Sequence, residues 1–136
     1  MTLVELKLLL ELYYGPPNTY VSDFNNDLEN VIISLTSTKS SLILVGDYNS
    51  NLLNHEIHTE TGHFLNVLSS NSIIPLITKP TRYGEHSATL IDNILTNKSF
   101  RSDSKYHSGI ILEDISDHLP VFFITGEVVF EKTTTL

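Results

Sequence analysis

An acid and an amide follow directly on a short apolar segment. Leu42-Ile43-Leu44-Val45 is an unbroken apolar run, typical of a strand buried on both faces, and Gly46-Asp47-Tyr48-Asn49 comes next. Sheet proteins commonly place reacting groups at such strand ends, and Gly46 would permit a sharp exit. In an extended segment Asp47 and Asn49 would point to one side, where the acid could bind a cation or move a proton. The amide could then donate a hydrogen bond to a phosphate oxygen. A plain Gly-Asp/Asn turn explains the same residues equally well.

Two further acids and a histidine lie beside apolar segments downstream. Asp117 and His118 precede Leu119-Pro120-Val121-Phe122, and a carboxylate beside an imidazole suits metal ligation or general acid/base work near neutral pH. Asp92 lies within Leu90-Ile91-Asp92-Asn93-Ile94-Leu95, where an unpaired charge would be costly to bury. A histidine that donates its ring N–H is the natural partner. The alternatives are a solvated turn for the first pair and an exposed strand position for Asp92.

A second group of histidines has weaker spacing for chemistry. His55, His58 and His63 form the pattern His-x₂-His-x₄-His, which could bind zinc. A zinc site normally has a fourth ligand and one of a few recurring ligand spacings. The sequence shows neither a fourth protein ligand nor such a spacing, so we give these histidines little weight.

The three acidic motifs gain meaning from their order. Gly-Asp-aromatic-Asn after a strand, Ile-Asp-Asn-Ile within a strand and Ser-Asp-His-x-Pro before a strand resemble the endonuclease/exonuclease/phosphatase (DNase I-like) family. The segments Tyr14-Gly15-Pro16-Pro17-Asn18, Ile77-Thr78-Lys79-Pro80-Thr81-Arg82 and Ser87-Ala88-Thr89-Leu90-Ile91-Asp92 extend the similarity over nearly the whole chain. In these details the chain is most similar to the endonuclease domain of LINE-type (non-LTR) retrotransposons.

This resemblance implies a metal-dependent phosphodiesterase, an endonuclease that nicks DNA by water attack on the backbone phosphate. Asp47 would activate the water or protonate the leaving oxygen, and Asn49 would hold the scissile phosphate. His118, oriented by Asp92, would stabilise the phosphorane. Tyr14 would contact the phosphate.

The resemblance also implies a cofactor and a DNA-contacting loop. Asp117 would help to bind Mg²⁺, with Mn²⁺ as the alternative cation, and the ion would polarise the phosphate. Thr81, Arg82 and Ser87 lie where the family's DNA-contacting loop is expected. Gly15 stands where the retroelement pattern usually has an arginine, so one basic contact is lost.

Charge and composition limit the classes of partner. The formal net charge is -8, whereas DNA binding normally shows as a basic patch; divalent cations can offset carboxylates that act on phosphates. The chain has no cysteine, which excludes disulfides and thiolate metal sites. No apolar run reaches the length of a membrane span, and Val4–Leu12 is interrupted by charges without a cleavage site after it. We expect no membrane partner and an intracellular location, in the nucleus or cytoplasm, and not a secreted protein.

Strands alternate with two helices along the chain, which predicts an α/β fold. The predicted strands are 4–14, 42–45, 73–77, 90–95, 110–115 and 119–124, and the predicted helices begin near Ser22 and Thr59. Pro75 favours an edge position for its strand. With the resemblance, we expect a partial four-layer α/β sandwich with mixed β-sheets flanked by helices, its N-terminal half missing. Residues 1–126 would be the C-terminal part of the domain, and 127–136 a strand extension or tail.

The part of the family that has no counterpart here leaves alternatives open. The family's N-terminal half supplies an asparagine and a metal-binding glutamate, and neither has a match in this sequence. The chain could therefore be a truncated, catalytically inactive remnant or a binding module of the same fold. The expected partners are DNA, a missing N-terminal segment, or a reverse transcriptase domain in the full element. A phosphoinositide, sphingomyelin or RNA substrate is the third hypothesis.

Overall fold

A computed structural model of the chain describes residues 11–14, 21–36, 42–97 and 106–125. Its helices are α1 (Val21–Thr36) and α2 (Thr59–Ser70), with a 3₁₀ turn at Leu52–Asn54. Its strands are β1 (Glu11–Tyr14), β2 (Ile43–Asp47), β3 (Ile73–Pro75), β4 (Arg82–Tyr83), β5 (Ala88–Thr89), β6 (Asp92–Asn97), β7 (Tyr106–Ile110) and β8 (Val121–Thr125). No helix among these residues is long and apolar enough to cross a membrane.

A mixed four-stranded sheet with the order β1-β2-β6-β3 lies at the centre. β1 runs parallel to β2, and β6 runs antiparallel to both of its neighbours. The register places Tyr14 beside Asp47 and Asp47 opposite Asp92. Three of the positions predicted to act in chemistry therefore occupy one row across three adjacent strands.

Side chains alternate between the two faces along each strand, so the continuous apolar run in β2 places apolar residues on both faces of this sheet. Leu42 and Leu44 face the two helices, whereas Ile43 and Val45 face the other way. The residues buried under the helices form what we call the helix-side core: Phe24, Leu28, Ile32, Leu42, Leu44, Tyr48, Phe64, Leu68, Ile73 and Leu95. The opposite face, called here the ribbon-side core, buries Ile43, Ile77, Leu90 and Ile94.

β7 and β8 form a two-stranded antiparallel ribbon over the ribbon-side core. Ile110, Val121 and Phe123 of this ribbon pack there, and they are only partly buried. Gly109 pairs with Phe122, whose ring would lie 3.0 Å from a Cβ at position 109. Glycine therefore lets the aromatic ring cover the backbone of its partner strand.

A polar side chain fixes the segment that leads into β4. Asn93 of β6 is buried; its amide donates to the Ile77 carbonyl at 2.9 Å and accepts from the Ile77 N–H at 3.0 Å. The backbone N–H of Leu76 bonds the Ile94 carbonyl. Residues 76–81, called here the strap, are thereby held along β6.

The elements agree with the sequence prediction in kind and differ at several boundaries. α2 begins at Thr59 as predicted, and α1 begins at Val21, one residue before the expected Ser22 cap. β3 lies at a sheet edge, as Pro75 predicted. The predicted strand 110–115 is wrong, because β7 ends at Ile110 and 111–115 is a loop. The β4–β5 hairpin was not predicted. Residues 4–10 and 127–136 lie outside the described residues.

Candidate active site

Asp47 is the last residue of β2 and Asp92 is the first residue of β6. The two lie directly opposite each other in the antiparallel β2–β6 ladder. Directly opposed residues of such a ladder project from the same face, with their Cβ atoms close together. A slip of this register by one residue would exchange the side chains of the helix-side core with those of the ribbon-side core, so packing on both faces favours the observed pairing. The sheet itself therefore brings the two carboxylates together.

His118 completes this group through a hydrogen bond to Asp92. The distance from His118 Nδ1 to Asp92 Oδ2 is 2.9 Å. Because an ionised carboxylate only accepts, Nδ1 is the donor and Nε2 is left available for a reacting group. The Thr81 hydroxyl donates to the same Asp92 oxygen at 2.8 Å and accepts from the Asp92 N–H at 3.1 Å.

The loop that carries His118, residues 116–119, is tied to the strap and to β4. Leu119 N–H donates to the Thr81 carbonyl at 2.6 Å, and Tyr83 N–H donates to the Asp117 carbonyl at 2.9 Å. The Ser116 hydroxyl accepts from the His118 N–H at 3.1 Å and donates to its carbonyl. Backbone and side-chain bonds together fix the imidazole beside the sheet.

Asp47, Asp92 and His118 form what we call the acid–imidazole group. One ligand atom from each lies within 4.8 Å of the others, and no other set of three acidic, histidine or cysteine side chains among the described residues converges in this way. The imidazole Nδ1 is already bonded to Asp92, so we regard the two carboxylates as the better cation ligands. Their oxygens are the type that Mg²⁺ and Mn²⁺ prefer.

The environment of Asp47 favours its protonated form. Burial raises the pKa of the Asp47 carboxyl above its ordinary value, and the nearby Asp92 charge raises it further. The Asn49 N–H, His118 and Arg82 oppose this pKa shift without cancelling it. A cation beside both carboxylates would relieve their repulsion.

Asn49 corrects one expectation about the first motif. Its φ is 55°, in the left-handed region, and its N–H donates to Asp47 Oδ1 at 2.9 Å. The expectation that Asp47 and Asn49 project from one extended segment is wrong, because the backbone turns back on the aspartate. Gly46 remains inside the β2 ladder, so the exit comes later than predicted. Between them, Tyr48 is buried against Phe64.

Asp117 does not join the acid–imidazole group. Arg82 Nε donates to Asp117 Oδ2 at 3.0 Å, and this bond lowers the pKa of the Asp117 carboxyl. The expected Mg²⁺ ligand is thus engaged by an arginine in this structure. Arg82 was expected to face DNA, and its side chain is half-exposed beside the site.

The other expected substrate contacts have different surroundings. Thr81 is fully buried behind Asp92, and its hydroxyl donates to the partly buried Asp92 carboxylate; its contact with DNA stays a prediction. Ser87 is exposed at the β4–β5 turn, where its carbonyl accepts from Gly84 N–H. Tyr14 is paired with Asp47 through the backbone register, and its phosphate contact stays a prediction.

His55, His58 and His63 form no converging group of ligand atoms in the described part of the chain. His55 Nδ1 lies 3.0 Å from the Leu52 carbonyl, which makes it part of the local turn. The zinc alternative therefore receives no support from the geometry.

Sequence reasoning missed the supporting roles of Asn93, which holds the strap, and of Thr81, which holds Asp92. Asn93 is a polar residue inside an apolar strand, and such a residue requires hydrogen-bond partners when buried. This signal was available for Asn93, whereas the role of Thr81 depends on a contact between distant segments.

Comparisons with known proteins agree with this fold. The profile of a family described as endonuclease-reverse transcriptase matches residues 8–122. Among solved structures, the endonuclease domain of TRAS1, a telomere-specific non-LTR retrotransposon, superposes with a TM-score of 0.68 at 19% identity, over 85% of this chain and 56% of that one.

An endonuclease/exonuclease/phosphatase family protein from Leptotrichia buccalis C-1013-b superposes with a TM-score of 0.60 at 17% identity, over 88% of this chain and 49% of that one. The chain thus spans about half the length of both structures. A search of curated proteins found no match. The mixed sheet with two helices confirms the predicted DNase I-like α/β fold. By its sequence match over most of its length, the chain belongs to the endonuclease-reverse transcriptase family.

Proposed function

We propose that this chain is a metal-dependent endonuclease that hydrolyses a phosphodiester bond of DNA. The observation that carries the proposal is the hydrogen-bonded Asp92–His118 pair facing Asp47 across the end of β2 and β6. This arrangement supplies an acid, Asp47, and the imidazole of His118, whose Nε2 has no partner among the described residues. With a carboxylate pair that could bind a cation, these groups suffice for general acid/base chemistry at a phosphate.

The chain's own residues divide the work. Asp92 keeps the His118 proton on Nδ1, so that Nε2 can interact with the phosphoryl oxygens as negative charge develops. Asp47 exchanges a proton with the attacking water or the leaving oxygen. Asn49 and Tyr14 are proposed to hold the phosphate.

The cation is proposed to be Mg²⁺ or Mn²⁺, held by Asp47 and Asp92. When bound, it would polarise the phosphate and offset the charge that develops on it. Mg²⁺ commonly uses one or two protein carboxylates and completes its shell with water and substrate phosphate, so two carboxylates fit this cation.

Nicking of supercoiled plasmid tests the proposal. Incubated with Mg²⁺, the wild-type chain is expected to convert supercoiled DNA to the open-circular form, and EDTA is expected to stop the reaction. Asp47→Ala and His118→Ala should each reduce the rate at least about a hundredfold, the usual contribution of a general acid or base.

Matched variants outside the site are Asp114→Ala and His107→Ala, both at exposed positions. They remove the same side-chain types and should retain nicking. Unchanged nicking in Asp47→Ala and His118→Ala would attribute the activity to a contaminant and reject the proposal.

A binding module without catalysis is the second candidate. It is favoured by the engagement of Asp117 with Arg82, which leaves two converging carboxylates among the described residues. Calorimetric titration with Mg²⁺ and Mn²⁺ separates the candidates together with the nicking assay. Saturable binding of DNA without cleavage in either metal would support the binding module.

DNA is preferred to lipid or RNA phosphodiesters because the family description names an endonuclease with a reverse transcriptase. For the same reason we propose that the chain works beside a reverse transcriptase domain, inside the cell. Parallel hydrolysis of plasmid, RNA and sphingomyelin vesicles tests the substrate class. Faster turnover of either alternative would overturn the choice of DNA.

A further inference from the structure

Arg82 brings a positive charge to the edge of the acid–imidazole group, in a chain of net charge -8. An isolated antiparallel bridge pairs Arg82 with His118. Residues paired in this way project from the same face, so the arginine and the imidazole leave the backbone side by side.

The hydrogen bond to Asp117 uses one end of the guanidinium. Nε donates to Asp117 Oδ2 at 3.0 Å, and within the described part of the chain no protein group accepts from the Nη atoms. The side chain is half-exposed, so these donors can reach a ligand. A guanidinium fixed at Nε presents its remaining N–H groups in a planar fork, which matches the oxygens of a phosphate.

Stability does not explain this ion pair. Both partners are half-exposed, and such pairs contribute little because solvent screens them. The loop is already held by the backbone bond from Tyr83 to the Asp117 carbonyl and by the bond from Leu119 to Thr81. What the carboxylate adds is a fixed direction for the arginine.

We propose that Asp117 is a positioning residue that holds Arg82 as a clamp for a nucleic-acid phosphate beside the acid–imidazole group, and does not serve as a cation ligand. This inference rests on the proposed function for its ligand, a DNA phosphate. In this arrangement the Asp117 carboxylate pairs with the Arg82 guanidinium, and Asp47 and Asp92 are the carboxylates available to the cation.

The proposal predicts the direction in which a substitution at Asp117 changes the affinity for DNA. This affinity is measured with a short fluorescent DNA duplex by fluorescence anisotropy in EDTA. Removal of a negative charge near a DNA-binding surface should strengthen binding. If Asp117 anchors Arg82, Asp117→Asn should instead weaken binding severalfold. Arg82→Gln should weaken binding about tenfold and reduce the salt slope by about 1. The double variant should bind no more weakly than Arg82→Gln alone, because the anchor has no function without its arginine.

Two matched variants control for charge. Asp114→Asn makes the same change in the neighbouring loop and should bind as tightly as wild type or more tightly. Lys79→Gln makes the same charge change as Arg82→Gln at an exposed position of the strap and should have the smaller effect. Thermal unfolding of every variant shows that the fold is retained.

The inference is overturned if Asp117→Asn binds DNA in EDTA as tightly as wild type, or if its defect arises only after Mg²⁺ is added. The second result would make Asp117 a cation ligand. A wild-type chain that binds no DNA also overturns it. Wild type that binds as described but never nicks plasmid would reject the proposed nuclease and leave the clamp in place.

Discussion

The two faces of the central sheet are covered very differently. The helix-side core is sealed by α1 and α2, and residues such as Leu28 and Phe64 are almost wholly inaccessible. The ribbon-side core is covered by the strap and by the β7–β8 ribbon, and the ribbon residues Ile110, Val121 and Phe123 are only partly buried. The acid–imidazole group joins these regions, because its carboxylates come from the sheet and its imidazole from the loop before β8. One half of the site therefore has a rigid support and the other a weaker one.

The largest expected difference is in stability. Leu28→Ala leaves a cavity in the helix-side core and should lower the free energy of unfolding by about 3 kcal/mol. Phe123→Ala removes a partly buried ring from the ribbon and should cost about 1–2 kcal/mol, since less apolar surface is lost from burial. Urea unfolding monitored by circular dichroism measures both. Equal losses would show that the two cores support the fold equally.

The link between the two regions comes next. Thr81→Val keeps the shape of the side chain but removes the hydroxyl bonded to the Asp92 carboxylate, and should cost about 1–3 kcal/mol. The His118 ring proton should also exchange faster with solvent, as seen by NMR. Thr81→Ser retains the hydroxyl and is the control. If Thr81→Val behaves like Thr81→Ser, the hydroxyl does not hold Asp92.

Hydrogen exchange compares the two supports without mutation. Amides of β6, which is paired on both sides, should exchange at least about tenfold more slowly than those of β8, which is paired with β7 alone among the described strands. Mass spectrometry of peptides covering each strand provides the measurement. Similar protection in both would contradict a weaker ribbon.

The smallest effect concerns Asp47 alone. Its pKa in the folded chain is raised above the ordinary value of 3.8, so at neutral pH the folded state keeps an ionised carboxylate in an unfavourable environment. Asp47→Asn should therefore stabilise the chain in EDTA at pH 7, by less than about 1 kcal/mol because solvent screens the site. The gain should disappear as the pH falls below 3.8, where the carboxyl is protonated in both states.

Thermal unfolding across this pH range, with Asp114→Asn as the exposed control, measures the stabilisation. A destabilised Asp47→Asn at pH 7 would show that the carboxylate contributes more to the fold than its burial costs.

Local patterns predicted the elements that have a strong period of their own. The sequence predicted a helix that begins near Ser22 and a strand at the apolar run from Leu42; α1 and β2 form there, and Phe24, Leu28 and Leu42 are buried in the helix-side core. The β4–β5 hairpin and the start of β7 have short or polar sequences. β4 and β5 have two residues each, and β7 contains Ser108 and Gly109, so no local apolar period marked these strands.

The site was predicted less completely than the fold. Pairing of Asp92 with a histidine followed from the cost of a buried charge, and the structure identifies His118 as that partner. The bond from Thr81 to Asp92, 11 residues along the chain, and the bond from Arg82 to Asp117, 35 residues along the chain, could not be predicted, because both depend on how separate segments pack together. No residue pattern along the sequence predicts that these segments lie together.

The direct opposition of Asp47 and Asp92 across the ladder makes the site sensitive to the length of the chain as well as to its residues. A conservative substitution elsewhere in β2 leaves the opposition intact. Deletion or insertion of a single residue within β2 would turn every following side chain to the other face and separate the carboxylates. Members of the family should therefore keep the length of this strand constant even where its apolar residues differ. A one-residue insertion or deletion there would mark a relative that has lost the site although most of its sequence is retained.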